Sequence, residues 1–580
     1  MTLAGSGTAA AVAPSAGAVG SAPRTGELAA ASLLDCAGAT TPDSSPSNLT
    51  DVDGTLFFTA SDARGSALWR SNGSAGGTVL LKRLGSDGYY DYGYTEMVDV
   101  DGTLFFTVES GDDNDELWRS DGTRAGTVLV KRFLSDGGEY GSSGPNNLTA
   151  VGSTLFFTAS DDRGEELWRS NGTRSGTVLV KDIGDGSDGG YEYGPSNLTA
   201  VGDTLFFTAD DGTRGQEVWR SDGTRAGTIL VKNIAPGSYS SYADGLTAVG
   251  ATLFFSARDG VHGRELWSSD GTRAGTVLVE NLRPGGASSS PDGLVGVDDR
   301  LFFSAEDEAG LRDLWVSDGT AAGTVLVKDL DASGDEYDYV LNEMVPVDDT
   351  VFFAADDGSH GLELWSSDGT ETGTTMVKDI RPGDYPSYPT YLAAVEGTLF
   401  FTARDGVHGR ELWSSDGTAA GTSLVDDIDP FGSGDPEELT ESGGDLFFRA
   451  DDRLHGDELW RSDGTEAGTS LVVDINKGGA FDVSSRANAN PANGTLRVRA
   501  VFEGAGTVEV TPAREGGIRS LEREVSGSEY VQMTLTLELT RAARRTLRRT
   551  GRVEVGARFT FVSCGGGARS VIRHYTVKMR

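Results

Sequence analysis

The nine tryptophans of this chain stand at nearly equal intervals, and that period constrains the fold more than any other feature. They are Trp69, Trp118, Trp168, Trp219, Trp267, Trp315, Trp365, Trp413 and Trp460, separated by 49, 50, 51, 48, 48, 50, 48 and 47 residues. A Phe-Phe pair precedes each, from Phe57-Phe58 to Phe447-Phe448. The Thr of a Gly-Thr step follows each nine residues later, from Thr78 to Thr469. A period of about 20–50 residues marks a repeat architecture, in which one supersecondary unit buries its apolar surface only against its neighbours.

The fourth unit shows what the repeat builds. Its apolar runs are Asn197-Leu198-Thr199-Ala200-Val201, Thr204-Leu205-Phe206-Phe207-Thr208-Ala209, Glu217-Val218-Trp219-Arg220 and Thr228-Ile229-Leu230-Val231-Lys232. Gly and Asp clusters bound each run, which predicts four short strands. Adjacent side chains on a strand point to opposite faces, so a Phe-Phe pair demands apolar partners on both sides of its sheet. A small four-stranded sheet buried on both faces is a β-propeller blade. The expected fold is therefore all-β: a propeller of about nine blades over 32–480, with eight blades and a spare unit as the alternative. The segment from Leu33 to Thr50 is similar to the end of a unit and is expected to help close the ring.

Glu116-Leu117-Trp118-Arg119-Ser120-Asp121-Gly122-Thr123-Arg124-Ala125-Gly126-Thr127 resembles the repeat of bacterial ELWxxDGT-repeat proteins, and the match recurs nine times over about residues 47–480. Ala67 and Asp313 replace the Glu, and Asn72 and Asn171 the Asp. The resemblance implies a secreted or surface propeller without an assigned activity. It names no catalytic residue.

Charge divides the chain. From Ser485 to Arg580 there are 17 Lys and Arg against 8 Asp and Glu, a net of +9. The other 484 residues carry 32 bases and 80 acids, a net of −48. That reversal predicts a boundary, with 481–493 as linker and 494–580 as a small basic domain. Period-two alternation at Leu496, Val498, Ala500 and Phe502, at Val531 through Leu539, and at Val553 through Phe561 predicts a β-sandwich. Arg541, Arg544, Arg545, Arg548 and Arg549 belong to a short helical turn anchored by Leu547, a basic face suited to an anionic envelope polymer or to the acidic propeller. Its likeness to accessory domains of actinobacterial secreted proteins is looser than that of the repeat. Residues 1–31, rich in Ala and Gly, are expected to be disordered and contain no recognisable signal peptide. Cys36 and Cys564 form either one bond or two free thiols.

Function has weaker markers. The acidity argues against nucleic acid, whose phosphates it repels. No run reaches the roughly 18 apolar residues of a membrane-spanning helix. No nucleophile elbow, phosphate loop or zinc pattern occurs, so a non-enzyme is expected. His262, His360, His408 and His455 share one repeat position, too far apart on different blades to meet at a metal, and read as loop residues.

The segments between the fourth strand of one unit and the first of the next vary most in length. They hold 14 of the 16 tyrosines: Tyr89, Tyr90, Tyr92, Tyr94, Tyr140, Tyr191, Tyr193, Tyr239, Tyr242, Tyr337, Tyr339, Tyr385, Tyr388 and Tyr391. Tyrosine among Gly, Ser and Asp is the composition of adaptable binding surfaces. This Tyr- and Asp-rich face is the candidate site, and a cell-envelope glycan or a surface protein the expected partner of an extracellular or cell-surface scaffold. A structural coat without specific ligand, and a polysaccharide hydrolase using two carboxylates, are the other readings. No cofactor is expected. A calcium ion would have to gather its six to eight oxygens from several loops, because each Asp-Gly-Thr turn offers a single carboxylate.

Overall fold

The computed structural model describes residues 43–62, 64–84, 96–110, 114–134, 144–161, 164–184, 194–330, 341, 343–430, 432–453, 455–475, 481–503, 506–513, 517–525, 530–563 and 568–579. The expectations for residues 1–31 and for Cys36 and Cys564 lie outside them. Two compact units divide between Ala480 and Phe481.

The first unit is a repetitive, propeller-like all-β assembly. Among the described residues it contains nine successive four-stranded antiparallel sheets, each with its strands in chain order. In the fourth these are Ser196–Val201, Thr204–Asp210, Gln216–Ser221 and Ile229–Lys232. Within it Phe207 pairs with Trp219 and Phe206 with Arg220. The two phenylalanines serve different neighbours. Phe207 and Trp219 join Phe156, Leu167 and Val180 of the third sheet, whereas Phe206 joins Leu253, Phe255 and Trp267 of the fifth. The same exchange links the ends of the series: Leu56 and Phe58 of the first sheet pack with Phe447, Leu459 and Val472 of the ninth. The first strand of the first sheet, Ser47–Val52, also lies beside that of the ninth, Glu437–Ser442. The core is thus nine layers between sheets.

Six of the nine layers are fastened at the outer edge by a lysine over the tryptophan. The Lys181 ammonium sits 5.0 Å above the Trp219 ring and donates to the carbonyl of Thr228 at 2.8 Å. Lys232 repeats both contacts on Trp267 and Thr276, and Lys378 on Trp413 and Thr422. A cation over an indole face contributes about 0.5–1 kcal/mol where exposed and more when desolvated.

The Asp-Gly-Thr turns between third and fourth strands are closed by their own side chains. In the fourth unit Ser221 Oγ and Thr228 Oγ1 lie 2.7 Å apart, and Gly223 N donates to Ser221 Oγ. Asp222 Oδ1 accepts from both the N–H and the hydroxyl of Thr224. Gly223 has a φ of 82°, and a Cβ there would stand 3.2 Å from the Phe156 ring of the preceding sheet. Backbone conformation and sheet packing therefore both require glycine here.

The second unit is two sheets around one core. The strands Phe481–Asn490, Thr495–Glu503 and Tyr530–Glu538 form one; Gly506–Pro512, Leu521–Val525, Arg552–Ser563 and Ala568–Lys578 form the other. Leu496, Val498 and Phe502 of the first bury against Val508, Phe559 and Phe561 of the second. A helix, Arg541–Thr550, is capped by Thr540, ends at Gly551 in the left-handed region, and buries Ala543 and Leu547. The expected linker 481–493 is corrected: most of it is the edge strand Phe481–Asn490, paired with Thr495–Glu503. Its register shifts between Val483 and Ala487, so the bulge interrupts the alternation that would have marked a strand.

Candidate functional site

Strand pairing decides which loops share an end of each sheet. In the first unit the hairpin end Asp62–Gly65, the start of the first strand (Ser47 opposite Thr59) and the end of the fourth (Arg83 opposite Ala67) all lie together. The variable loops and the loops joining second to third strands therefore occupy one end, and the Asp-Gly-Thr turns the other.

The Glu of the repeat motif holds the variable loops by their stems. Glu217 is fully buried and accepts from the N–H groups of Ile234 and Ala235 at 3.0 and 2.9 Å, where the loop leaves the fourth strand. Glu265 takes Leu282 N at the near stem and Ser289 N and Oγ at the far stem. Glu363 does the same with Ile380 N and Ser387 Oγ, and Glu411 with Ile428 N and Gly434 N. Burial pushes the carboxyls of Glu217, Glu363 and Glu411 up to about 7, against the backbone donors that favour the charged form.

In the ninth sheet the far-stem partner comes from the other end of the repeat series. Ser44 donates to Glu458 at 2.6 Å, and Ser44 N and Ser45 N bond the carbonyl of Asp457. Ser289 and Ser290 make the same pair of bonds to Arg264. Sequence inspection missed the Glu as a loop anchor, although its recurrence one residue before Leu-Trp was visible.

Of the candidate tyrosines, Tyr239, Tyr242, Tyr385, Tyr388 and Tyr391 are described, and all are exposed at this loop end. Tyr89, Tyr90, Tyr92, Tyr94, Tyr140, Tyr191, Tyr193, Tyr337 and Tyr339 lie outside the described residues. Tyr239 is 76% and Tyr385 59% exposed, and at the same end Val261 and Val407 reach 72% and 83%. Tyr242, Tyr388 and Tyr391 have φ of 49°, 51° and 54°. At the position of Tyr391 other units place Asn48, Asn147 or Asn197, also in the left-handed region, where asparagine sits with less strain than a large ring. Arginines stack on three of the rings: Arg258 on Tyr242 at 4.1 Å, Arg381 on Tyr385 and Arg404 on Tyr388, both at 4.9 Å.

The acidic loops here are folded on themselves. Asp259, Asp357, Asp405 and Asp452 each accept from the backbone N–H of the His three residues later and from its Nδ1. The four histidines thus brace hairpins. Asp211 accepts from Thr213 and Arg214 in the same manner. Among the described residues no group of three or more His, Cys, Asp or Glu is arranged to hold a metal ion.

No protein-family model matches the chain, and no curated protein matches it. Solved structures give only distant likenesses. A puromycin hydrolase is 13% identical with a TM-score of 0.34, over 63% of this chain and 59% of that one. A prolyl endopeptidase gives 13% and 0.36 over 82% and 56%, and the tricorn protease 11% and 0.25 over 92% and 63%. The chain spans under two thirds of each, and at such scores the likeness carries no argument.

Proposed function

We propose that the nine sheets form a closed nine-bladed propeller of the ELWxxDGT-repeat type. On this reading it is a non-catalytic, extracellular or cell-surface scaffold that recognises a glycan or a protein through its Tyr-rich loop end. The observation that carries the reading is the placement of large side chains where a folded chain gains nothing from them. Tyr239 and Tyr385 stand in solvent on loops whose stems are fastened by buried carboxylates, and Val261 and Val407 stand in solvent on hairpins at the same end. Rigid aromatic anchors on a preorganised frame suit recognition. Strained backbone at Tyr388 and Tyr391 supports it, since such conformations gather at functional positions.

The closing contacts of Phe58 with Phe447 and of Ser44 with Glu458 support nine blades over eight. A glycan array and a partner screen test recognition, using the whole chain and a Tyr239→Ser/Tyr385→Ser variant. Binding that the variant loses is expected. A blank array together with a blank screen favours the structural coat.

A further inference from the structure

Several arginines of the acidic unit have a carboxylate partner. Arg83, Arg132, Arg214, Arg283, Arg449, Arg453 and Arg461 each pair with an Asp or Glu. Three arginines without one meet in a single cleft. Arg381, Arg404, Arg410 and His408 line an opening of about 360 Å³ between the loop that enters the eighth unit, its 404–410 hairpin and the loop that leaves it. Among the described residues none of these three arginines has an ion-pair partner. Of the carboxylates at the cleft, Asp405 is engaged by His408, Glu411 by backbone N–H groups, and Asp435 is the one acid in the lining. A stretch of 484 residues with 80 acids for 32 bases thus gathers three guanidinium groups without an ion-pair partner in one place.

The cleft is also held in shape. Asp405 folds the hairpin by accepting from Val407 N and His408 N at 2.8 and 2.9 Å. Arg410 N donates to Ser433 Oγ at 3.0 Å, and Asp435 N to the carbonyl of Arg410, which ties the hairpin to the next loop. Arg404 N donates to the carbonyl of Ser387, tying it to the preceding one. Glu411 lies behind, on the N–H groups of Ile428 and Gly434. Tyr385 and Tyr388 stack on Arg381 and Arg404, so the rings fix the planar cations.

The geometry points to a binding site for an acidic saccharide, whose carboxylate or sulfate is held by Arg381, Arg404 and Arg410 and whose ring lies against Tyr385 and Val407. Guanidinium forks match planar carboxylates and bind sulfate equally as paired donors. The opening falls within the roughly 300–1,000 Å³ of small-molecule sites. The net negative charge of the unit does not forbid an anion. At physiological ionic strength charges beyond about 8 Å are largely screened, so the distant acids of the unit weigh little against three guanidinium groups lining the opening.

This inference rests on the recognition role proposed for the loop end and names the ligand for one part of it. The test is calorimetric titration of the whole chain in 0.15 M salt with oligogalacturonate, sulfated chondroitin oligosaccharide and neutral malto-oligosaccharide. Variants are Arg404→Gln/Arg410→Gln, and as control Arg258→Gln/Arg264→Gln at the same positions of the fifth unit, each first shown to unfold at the wild-type temperature. Acidic oligosaccharides should bind at least about ten-fold more tightly than the neutral one. The first variant should lose that margin, the control should keep it, and the better of the two acids identifies the anionic group. No binding of either acid, or binding untouched by Arg404→Gln/Arg410→Gln, overturns the inference. If a neutral glycan or a protein still binds and the Tyr239→Ser/Tyr385→Ser variant loses it, the recognition role stands without this site. If nothing binds, both fall.

Discussion

Replacing Trp219 by alanine removes a side chain that belongs to two sheets at once. The indole is 5% exposed and packs with Phe156, Leu167 and Val180 of the third sheet and with Phe207 of its own. Its Nε1 donates to the carbonyl of Ala209 at 3.2 Å, and Lys181 covers its face. Truncating a buried Trp costs roughly 3–5 kcal/mol in transfer and cavity terms, and the cation contact adds about 0.5–1 kcal/mol. A loss of about 4 kcal/mol is expected. With a guanidinium slope of about 2–6 kcal/mol/M, the midpoint should fall by roughly 0.7–2 M.

Trp315 is the internal comparison. It is only half-buried, and the residue that would supply its lysine is Glu280, so Trp315→Ala should cost about 1 kcal/mol less than Trp219→Ala. Guanidinium unfolding followed by circular dichroism measures both. A midpoint for Trp219→Ala equal to wild type would refute the claim that the core lies between sheets.

The remaining predictions concern the loop anchors, the ring closure and the acidity. Glu217, Glu363 and Glu411 have folded values near 7, raised from 4.5. Their contribution is complete below about pH 4.5 and is lost as pH rises through 7, at most about 3 kcal/mol for each. The turn aspartates such as Asp222 and Asp416 are shifted down by their Thr hydrogen bonds, so their contribution fades only as pH falls below the usual carboxylate range. Melting in 0.5 M salt should therefore be higher at pH 5 than at pH 8, and the reverse order would contradict the burial of these carboxyls. Ser44→Ala removes the hydrogen bond to Glu458 and should cost about 0.5–1.5 kcal/mol, the net range for one hydrogen bond. Melting measures it, and an unchanged temperature would count against closure by that segment. Sodium chloride, calcium and magnesium should stabilise the chain alike at equal ionic strength. A saturable rise with micromolar calcium alone would reveal a specific site, of the kind that adds about 2.7 kcal/mol at a hundred times its Kd.

Much of the architecture was legible because it repeats. Phe206 and Phe207 must face opposite sides of one strand, and two apolar faces on so small a sheet require neighbours on both sides. The Asp-Gly-Thr turn was legible as structure, because Gly223 and Asp222 have local reasons to be there. Glu217 and its equivalents were visible as letters but not as anchors, since the partners Ile234 and Ala235 of Glu217 lie 17 and 18 residues onward. The strand Phe481–Asn490 was hidden by its bulge and its Ala, Asn and Ser content, although Val483 is buried. The arginine cleft drew on three separated segments, 381–388, 404–410 and 432–435. Sequence order alone gave no reason to bring them together.

The central claim, recognition through exposed rings on anchored loops, is tested most directly by the affinity of the chain for isolated cell-envelope material. The wild type and a Tyr239→Ser/Tyr385→Ser/Tyr388→Ser variant should be compared by sedimentation over a range of protein concentrations. These side chains are solvent-exposed at 76%, 59% and 37%, so the variant should melt within about 2 °C of wild type, a surface-substitution effect. The account predicts saturable binding by the wild type and at least ten-fold weaker binding by the variant. Equal affinity of the two would contradict it.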